Sequence, residues 1–215
     1  MSLLWGFSEK QIQVLGIEPA KNIAQIARDK GIETISQFFG VDAAKKVVAE
    51  KGHPRLVIAN NVAAHVPDIV DFFKGLRLLS DKKTLITIEN PSILNLIHKN
   101  QYDTIYHEHY SYLSANSIDY LAKTVGLNLI KVDELSTHGG SNRYWLSTEN
   151  PSKFQLNVIE NKMRMELSLG LKNIETWQEF AITAMSHFQK IKTWFEQKRE
   201  QGDIVIGFGA AAKAS

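Results

Sequence analysis

Cysteine is missing from this 215-residue sequence, and long apolar runs are missing as well. Without thiols, the chain can form neither a disulfide nor a thiolate zinc site. No run reaches the roughly 18 apolar residues that predict a transmembrane helix. The first residues also lack the basic and apolar stretches of a secretory signal peptide. We therefore expect a cytoplasmic protein that does not use a membrane as its partner.

An excess of charge of either sign is missing too. Lysine and arginine together number 25, against 23 aspartates and glutamates, which gives a formal net charge of +2. Such a balance offers no basis for binding nucleic acid or an anionic surface. The hydrophobic fraction of 44% and the charged fraction of 22% are ordinary for a globular protein. The length suffices for one domain and part of a second.

Short apolar runs alternate with helical spacing in the first part of the chain. Strands are predicted over residues 13–17, 33–36, 56–59 and 85–88, and helices over residues 20–30, 41–51 and 67–79. Gly31 is expected to end the first of these helices and Pro67 to begin the last. This order predicts an α/β fold, in which helices cover both faces of a parallel sheet.

The second part of the chain has a different pattern. Helices are predicted over residues 91–100 and 114–125, an antiparallel strand pair over 127–132 and 142–147, long helices over 154–199 with a break near Gly170, and a new strand over 203–206. We therefore expect three parts: a ligand-binding domain over 1–150, a helical connection over 151–200, and the start of a second α/β domain over 201–215.

Glu18 follows the first predicted strand, and ligands of open α/β sheets bind at this end of the strands. A carboxylate accepts from two donors, so it can hold both hydroxyls of a ribose. The alternative is a local role as an acid in the first turn of a helix. A glycine-rich turn should precede such an acid by about 20 residues. Here only residues 3–11 precede the strand, and they suit the helix that follows such a turn.

The segment from Asn60 to Val66 follows the third strand. Asparagine side chains at that position can bind a ribose or the amino-acid part of a ligand. The alternative is turn chemistry, which asparagine supports well. His65 is either part of this site or a core histidine whose polar atoms are satisfied within the protein.

Residues 103–112 hold three tyrosines, two histidines and two acids. Histidine titrates near neutrality and suits general acid–base chemistry, while a tyrosine can donate to a developing enolate oxygen. A metal site is the less favoured interpretation, because His107-Glu108-His109 lacks the helical spacing of a zinc pair. A polar surface loop is the remaining alternative. We interpret the segment as part of an active site.

A paired-glycine segment, Thr137 to Arg143, precedes the last predicted strand of the pair. Gly139 and Gly140 allow a ligand to approach the backbone closely. The alternative is an ordinary hairpin or bulge at a strand entry.

These segments resemble the nucleotide-sugar C-methyltransferases that make branched deoxysugars. Residues 16–19 resemble the second motif of class I methyltransferases. More specific segments occur in the family's order over nearly the whole chain: Asn60–Val66, Tyr106–His109, His138–Ser141 and Gly207–Lys213. The resemblance implies a Rossmann-like S-adenosylmethionine domain and a C-terminal α/β domain. It also implies an N-terminal zinc domain with cysteine ligands, which this cysteine-free chain does not contain.

The resemblance implies roles for particular residues. The cofactor site would include Glu18, Pro19, Phe38, Asn60 and Asn61, with Glu18 on the ribose hydroxyls. His109 would remove the proton at carbon 3 of a 4-keto sugar. Three residues would orient that base or stabilise the enolate: Tyr106, Glu108 and His65. The nucleotide-sugar substrate would contact His138, Gly139, Gly140 and Arg143. No metal is expected in this chain.

Three other functions stay open at this stage. An O-methyltransferase of the same fold would not need the dense segment at 106–109. A nicotinamide-dependent sugar oxidoreductase would also use Glu18, together with the glycines at 207–209. The last alternative is an inactive fragment that self-associates, for example as a homodimer, because a sheet lacking a strand exposes unpaired edges.

Overall fold

The computed structural model describes residues 2–10 and 12–207. Its α-helices are α1 (Ser2–Ser8), α2 (Lys21–Asp29), α3 (Val41–Lys51), α4 (Ile69–Leu79), α5 (Ile93–His98), α6 (Ala115–Thr124), α7 (Lys153–Ser168) and α8 (Ile174–Glu200). Its strands are β1 (Gly16–Ile17), β2 (Thr34–Ile35), β3 (Leu56–Asn60), β4 (Leu85–Pro91), β5 (Asn128–Leu135) and β6 (Ser141–Ser147). The predicted α/β order is confirmed, including the break between α7 and α8 around Gly170.

The first sheet consists of β1 and β2, which run parallel. Successive residues of a strand face opposite sides, and helices lie on both sides here. A side chain at Gly16 would touch Leu4 of α1. Ile17, on the other side, packs with Ala44 and Val47 of α3.

The second sheet has four strands in the order β3-β4-β6-β5. β3 and β4 run parallel, and β6 pairs antiparallel with both β4 and β5. The predicted antiparallel pair is therefore confirmed. One face of this sheet packs on α4 and α6, and the core there contains large side chains without exposed surface, such as Phe72, Ile88 and Tyr144.

The two sheets share helix α3 without sharing a strand. Val57 of β3 packs against the same cluster as Ile17 and Ile35 of the first sheet. Within the described residues, β1 pairs only with β2, and β3 pairs only with β4. The single parallel sheet that the pattern predicted is thus divided into two, and one edge of β3 has no strand beside it.

Two details of the predicted elements are wrong. Helix α4 begins at Ile69 and not at Pro67, because the Asp68 carboxylate accepts the N–H of Asp71 at 2.9 Å and caps the helix. Residues 203–207 form no strand: Ile204 is 88% exposed and pairs with no described strand. An apolar run without a partner strand cannot satisfy its backbone in a sheet. The glycine-rich residues 208–213 lie outside the described part of the chain.

No helix within the described ranges is both long enough and apolar enough to cross a bilayer.

Candidate active site

The carboxyl end of the first sheet carries Glu18 and, one strand further, Phe38. Glu18 is half-buried, and its Oε1 accepts the N–H of Ala20 at 2.9 Å. Glu18 lies before the N-cap of α2, whose first turn contains no acid, so the helix-turn alternative is wrong, and the bond to Ala20 engages one carboxylate oxygen. The ring of Phe38 is 74% exposed, so it forms an open apolar surface beside the strand ends.

Asn60 and Asn61 lie at the end of β3. The Oδ1 atom of Asn60 is buried and accepts no hydrogen bond within the described residues. Asn61 has a φ of 54°, a left-handed conformation that asparagine tolerates, and its N–H donates to the carbonyl of Glu89 at 2.7 Å. The turn chemistry expected for asparagine is therefore present, together with a buried acceptor that lacks a donor.

His109 and Tyr106 form a hydrogen-bonded pair. The Nδ1 atom of His109 lies 3.0 Å from the carbonyl oxygen of Thr104, and its Nε2 lies 3.1 Å from the Tyr106 hydroxyl. A carbonyl can only accept, so Nδ1 carries the proton in the neutral ring. Nε2 therefore has the lone pair, and the Tyr106 hydroxyl donates to it. The ring is held in the tautomer that a general base requires.

His65 is held against this pair by its own backbone contacts. Its Nδ1 donates to the carbonyl of Glu108 at 3.0 Å, and its ring meets that of His109 edge-on at 4.7 Å. The N–H of Tyr110 also donates to the carbonyl of Ala64 at 2.8 Å. The turn after β3 and the segment at 104–112 therefore lie against each other, and their joint role in an active site stays a prediction.

Glu108 takes part through its backbone. Its carbonyl accepts from His65, while its side chain is exposed. His107 is exposed as well, with its ring 6.4 Å from that of Tyr106. The orienting role expected for the Glu108 carboxylate stays a prediction.

The paired glycines lie next to α5 at the carboxyl end of β4. The carbonyl of Gly139 accepts from Lys99 Nζ at 2.8 Å and from Gln101 at 3.2 Å. A side chain at Gly140 would collide with Asn95. His138 is exposed and has a φ of 51°. Part of the space that these glycines leave open is thus occupied by side chains of the protein itself.

Arg143 is paired with a buried acid. Its Nη2 donates to Glu89 Oε2 at 2.7 Å, and the other oxygen of Glu89 accepts from Thr137 at 3.4 Å. Glu89 is only 6% exposed, so an arginine partner is what keeps its charge acceptable there. Arg143 was predicted to contact the substrate, and part of its charge is instead neutralised by Glu89.

Two members of the site were given no role from the sequence. The carbonyl of Thr104 accepts from His109 and, at 3.4 Å, from the hydroxyl of Tyr112. Burial raises the pKa of Tyr112, so this hydroxyl keeps its proton at neutral pH. A backbone carbonyl leaves no signal in a sequence, whereas Tyr112 belongs to the dense segment that was singled out.

The described contacts join some of the expected residues and not others. His65, Tyr106 and His109 form one group, and no hydrogen bond or ring contact of the described residues links Glu18 or Phe38 to it. Within the same residues, no three histidine or acidic side chains are placed to hold a metal ion.

Comparison with known proteins shows the family to which the chain belongs. A model described as a methyltransferase domain matches residues 2–132, and one described as a C-methyltransferase C-terminal domain matches residues 136–215. The chain belongs to the methyltransferase-domain family. The C-methyltransferase NovU of Streptomyces niveus is 31% identical over 209 residues, which cover 97% of this chain and 50% of the relative. The chain thus spans about half the length of that curated relative.

Solved structures show the same fold. The PH0226 protein of Pyrococcus horikoshii OT3 matches with a TM-score of 0.53 at 11% identity, over 68% of this chain and 76% of its own. A SAM-dependent methyltransferase from Anabaena variabilis ATCC 29413 matches with a TM-score of 0.50 at 12% identity, over 64% and 68%. These neighbours confirm the Rossmann-like class of the methyltransferase domain.

Proposed function

We propose that this chain forms the cofactor and base-bearing part of an S-adenosylmethionine-dependent C-methyltransferase. Its acceptor would be a nucleotide-linked 4-keto deoxysugar, methylated at carbon 3 after enolisation. The observation that carries the proposal is the His109–Tyr106 pair, in which the neutral form of the histidine would have its lone pair on the nitrogen that meets a tyrosine hydroxyl. The 31% identity to NovU supports the reaction class.

The residues at the strand ends fit S-adenosylmethionine. Glu18 has one oxygen engaged by Ala20, and the other is suited to a ribose hydroxyl. The buried Oδ1 of Asn60 lacks a donor that a hydroxyl or ammonium group would provide. The exposed ring of Phe38 offers a surface for a purine. When bound, the cofactor supplies a methyl group on a positively charged sulfur.

His109 would act as the base through Nε2. The proton at carbon 3 passes to Nε2, and the electron pair of the broken C–H bond moves toward the ketone to form an enolate. Nε2 can accept this proton only if the Tyr106 hydroxyl turns away from it. That hydroxyl then becomes available to donate to the enolate oxygen, where stabilisation matters most. The enolate carbon would form a bond to the methyl group as the methyl–sulfur bond breaks, its electron pair staying on sulfur and leaving neutral S-adenosylhomocysteine. The ketone would form again, and His109 would release its proton to water.

His65 and Thr104 would position the base. The Thr104 carbonyl keeps the proton on Nδ1, and the edge of His65 limits rotation of the His109 ring. Holding the base and the carbon acid in one geometry removes an entropic part of the barrier. Arg143, His138, Gly139 and Gly140 are proposed to face the nucleotide sugar.

Binding of S-adenosylhomocysteine tests the cofactor half. We expect calorimetry to detect binding to the chain, and Glu18→Ala to weaken it by roughly 1.5–3 kcal/mol through the loss of a hydrogen bond to a charged group. Glu33→Ala is the matched control, because Glu33 precedes β2 at the opposite edge and pairs with Lys51. Equal affinities for the Glu18 and Glu33 variants would contradict the proposed ribose site.

Proton exchange tests the acceptor half without any methyl transfer. A nucleotide-linked 4-keto sugar is incubated with the chain in D₂O, and loss of the carbon-3 proton signal is followed by NMR. We expect His109→Gln to slow this exchange about 10²–10⁴-fold, the usual contribution of a positioned base. His107→Gln, which changes an exposed neighbour, should leave the rate unchanged. Exchange that survives His109→Gln would assign the base to another residue.

A further inference from the structure

Asn90 has a buried side-chain amide, of which the nitrogen has a hydrogen-bond partner and the oxygen has none within the described residues. The residue is 1% exposed, and its Nδ2 donates to the carbonyl of Pro91 at 2.9 Å. Because a carbonyl cannot donate, the amide nitrogen must face Pro91, and this fixes the orientation of the group. The opposite atom, Oδ1, is buried and receives no hydrogen bond within the described residues. A buried acceptor left without a donor is costly and requires an explanation.

The buried side chain of Asn90 belongs to the wall of a small pocket beside the base. Asn90 lines this pocket together with His109, Thr104 and Tyr112, and Leu96 of α5 closes one side. The pocket therefore combines an apolar wall with polar groups of the active site. The pocket has a volume of about 10 Å³, which is room for one hydroxyl group or one water molecule. A single O–H group of a larger ligand has the matching chemistry, because it can donate inside the pocket while the rest of the ligand lies outside it.

The neighbouring strand contains an asparagine that serves as a comparison. Asn142 lies directly opposite Asn90 in the sheet and is 2% exposed. Its Nδ2 donates to the Tyr144 hydroxyl at 3.1 Å, and it has no buried atom without a partner. Two buried asparagines thus face the same side of one sheet, and of these two only the one beside His109 has a buried oxygen without a partner among the described residues.

We propose that Asn90 binds the acceptor of the reaction: its Oδ1 accepts a hydrogen bond from a hydroxyl of the sugar held beside His109. The inference rests on the proposed function and adds a specificity-determining contact to it. The described hydrogen bond of the Asn90 amide goes to Pro91, so the proposed role of Asn90 is in binding and orientation of the sugar and not in proton transfer.

The test measures sugar affinity and stability in the same variants. Affinity of a nucleotide-linked 4-keto sugar is measured by calorimetry with S-adenosylhomocysteine present. We expect Asn90→Leu to weaken sugar binding about tenfold, the usual effect of one neutral hydrogen bond, and to leave S-adenosylhomocysteine affinity unchanged. Without ligand, Asn90→Leu should melt at the same temperature or higher, since it removes an unsatisfied group. Asn142→Leu should do the reverse, lowering the melting temperature and keeping sugar affinity.

A second measurement needs no variant. Sugar analogues that each lack one hydroxyl are titrated into the unaltered chain, and one of them should bind about tenfold more weakly. That analogue should show no further loss with Asn90→Leu. If Asn90→Leu binds every analogue as the unaltered chain does, the contact is absent and the proposed function stands. If the unaltered chain binds S-adenosylhomocysteine but no sugar, the proposed acceptor is wrong, and the role of Asn90 falls with it. A lower melting temperature of Asn90→Leu with full sugar affinity would assign the oxygen to a structural water.

Discussion

The two sheets differ in how much core each one has. In the first, β1 and β2 have two residues each, and among the residues that the structure describes the associated cluster of buried side chains consists of Ala44, Val47 and Leu79. In the second, β4 has seven residues and is paired on both sides, and sixteen buried residues form one continuous cluster with it. Since hydrophobic burial is the main stabilising term, the second sheet contributes most of the folding free energy.

The difference separates two kinds of binding site. Glu18 and Phe38, the proposed cofactor contacts, lie on the lightly packed sheet. His109 and Tyr106 lie against the heavily packed one. A ligand that binds only the folded form stabilises it, so the cofactor should order the first sheet more than the second. The proposed acceptor site, by contrast, is already held by backbone contacts from Thr104, Glu108 and Ala64.

Phe73→Ala should produce the largest loss of stability. Phe73 is fully buried in the second sheet's cluster, and such a truncation costs about 3–5 kcal/mol. Urea unfolding followed by circular dichroism measures the change. Phe38→Ala is the matched control: its ring is 74% exposed, so unfolding should change little while S-adenosylhomocysteine binding weakens. Similar losses of stability in both variants would remove the proposed contrast between the two sheets.

Much of this division could be predicted from the sequence. The alternation of apolar runs and helical spacing predicted the strands and helices through residue 199, and the strand-end rule singled out Glu18 and Asn60. The dense segment at 103–112 indicated an active site because so many polar aromatic and acidic groups rarely occur together on a plain surface. These signals are local, and local patterns determine local structure.

The remaining features depend on contacts between distant segments. Sequence position alone gave Asn90 no role, because its unpaired oxygen results from what α5 and residues 104–112 place around it. Residues 203–206 have the composition of a strand, but a strand forms only where another strand can pair with it. Arg143 was assigned to the substrate, whereas its closest described partner is Glu89, 54 positions earlier.

Glu166 gives the second-largest expected effect. This acid of α7 is fully buried, and its oxygens accept from the N–H groups of Ala115 and Asn116 at 2.9 and 3.1 Å, so it caps α6 from another helix. A carboxylate at a helix N-terminus is favoured by the helix dipole as well. Glu166→Gln should cost about 2 kcal/mol, since the neutral amide accepts more weakly and presents a donor to these N–H groups.

The same urea measurement checks the role of Glu166. Glu160→Gln is the control, since Glu160 lies on the same helix and is exposed. Equal unfolding midpoints for the two variants would show that α6 does not depend on this cap. The helical pattern alone predicts a solvated position for Glu166, and only the packing of α7 on α6 makes it part of the core.

The smallest expected change in stability comes from the titration of Tyr144, which lies in the second sheet only. Burial raises the pKa of its hydroxyl well above the ordinary value near 10, although a hydrogen bond from Asn142 acts in the opposite direction. The folded chain therefore keeps a proton that the unfolded chain loses above about pH 10. The stabilising contribution is complete below that pH and is lost as the pH rises toward the folded value. At pH 10.5 the loss should be about 1 kcal/mol relative to pH 8.

The variant Tyr144→Phe shows how much of the alkaline loss of stability comes from Tyr144 and how much from other titrating groups. The variant should lose about 1 kcal/mol at pH 8, because Asn142 no longer donates to a hydroxyl, and its stability should fall less between pH 8 and 10.5. Tyr120→Phe is the control, since Tyr120 is 69% exposed and should leave the pH dependence unchanged. Residues 12–54 contain no tyrosine, so the first sheet has no corresponding group. If Tyr144→Phe and Tyr120→Phe show the same pH dependence, the alkaline loss does not arise in the core of the second sheet.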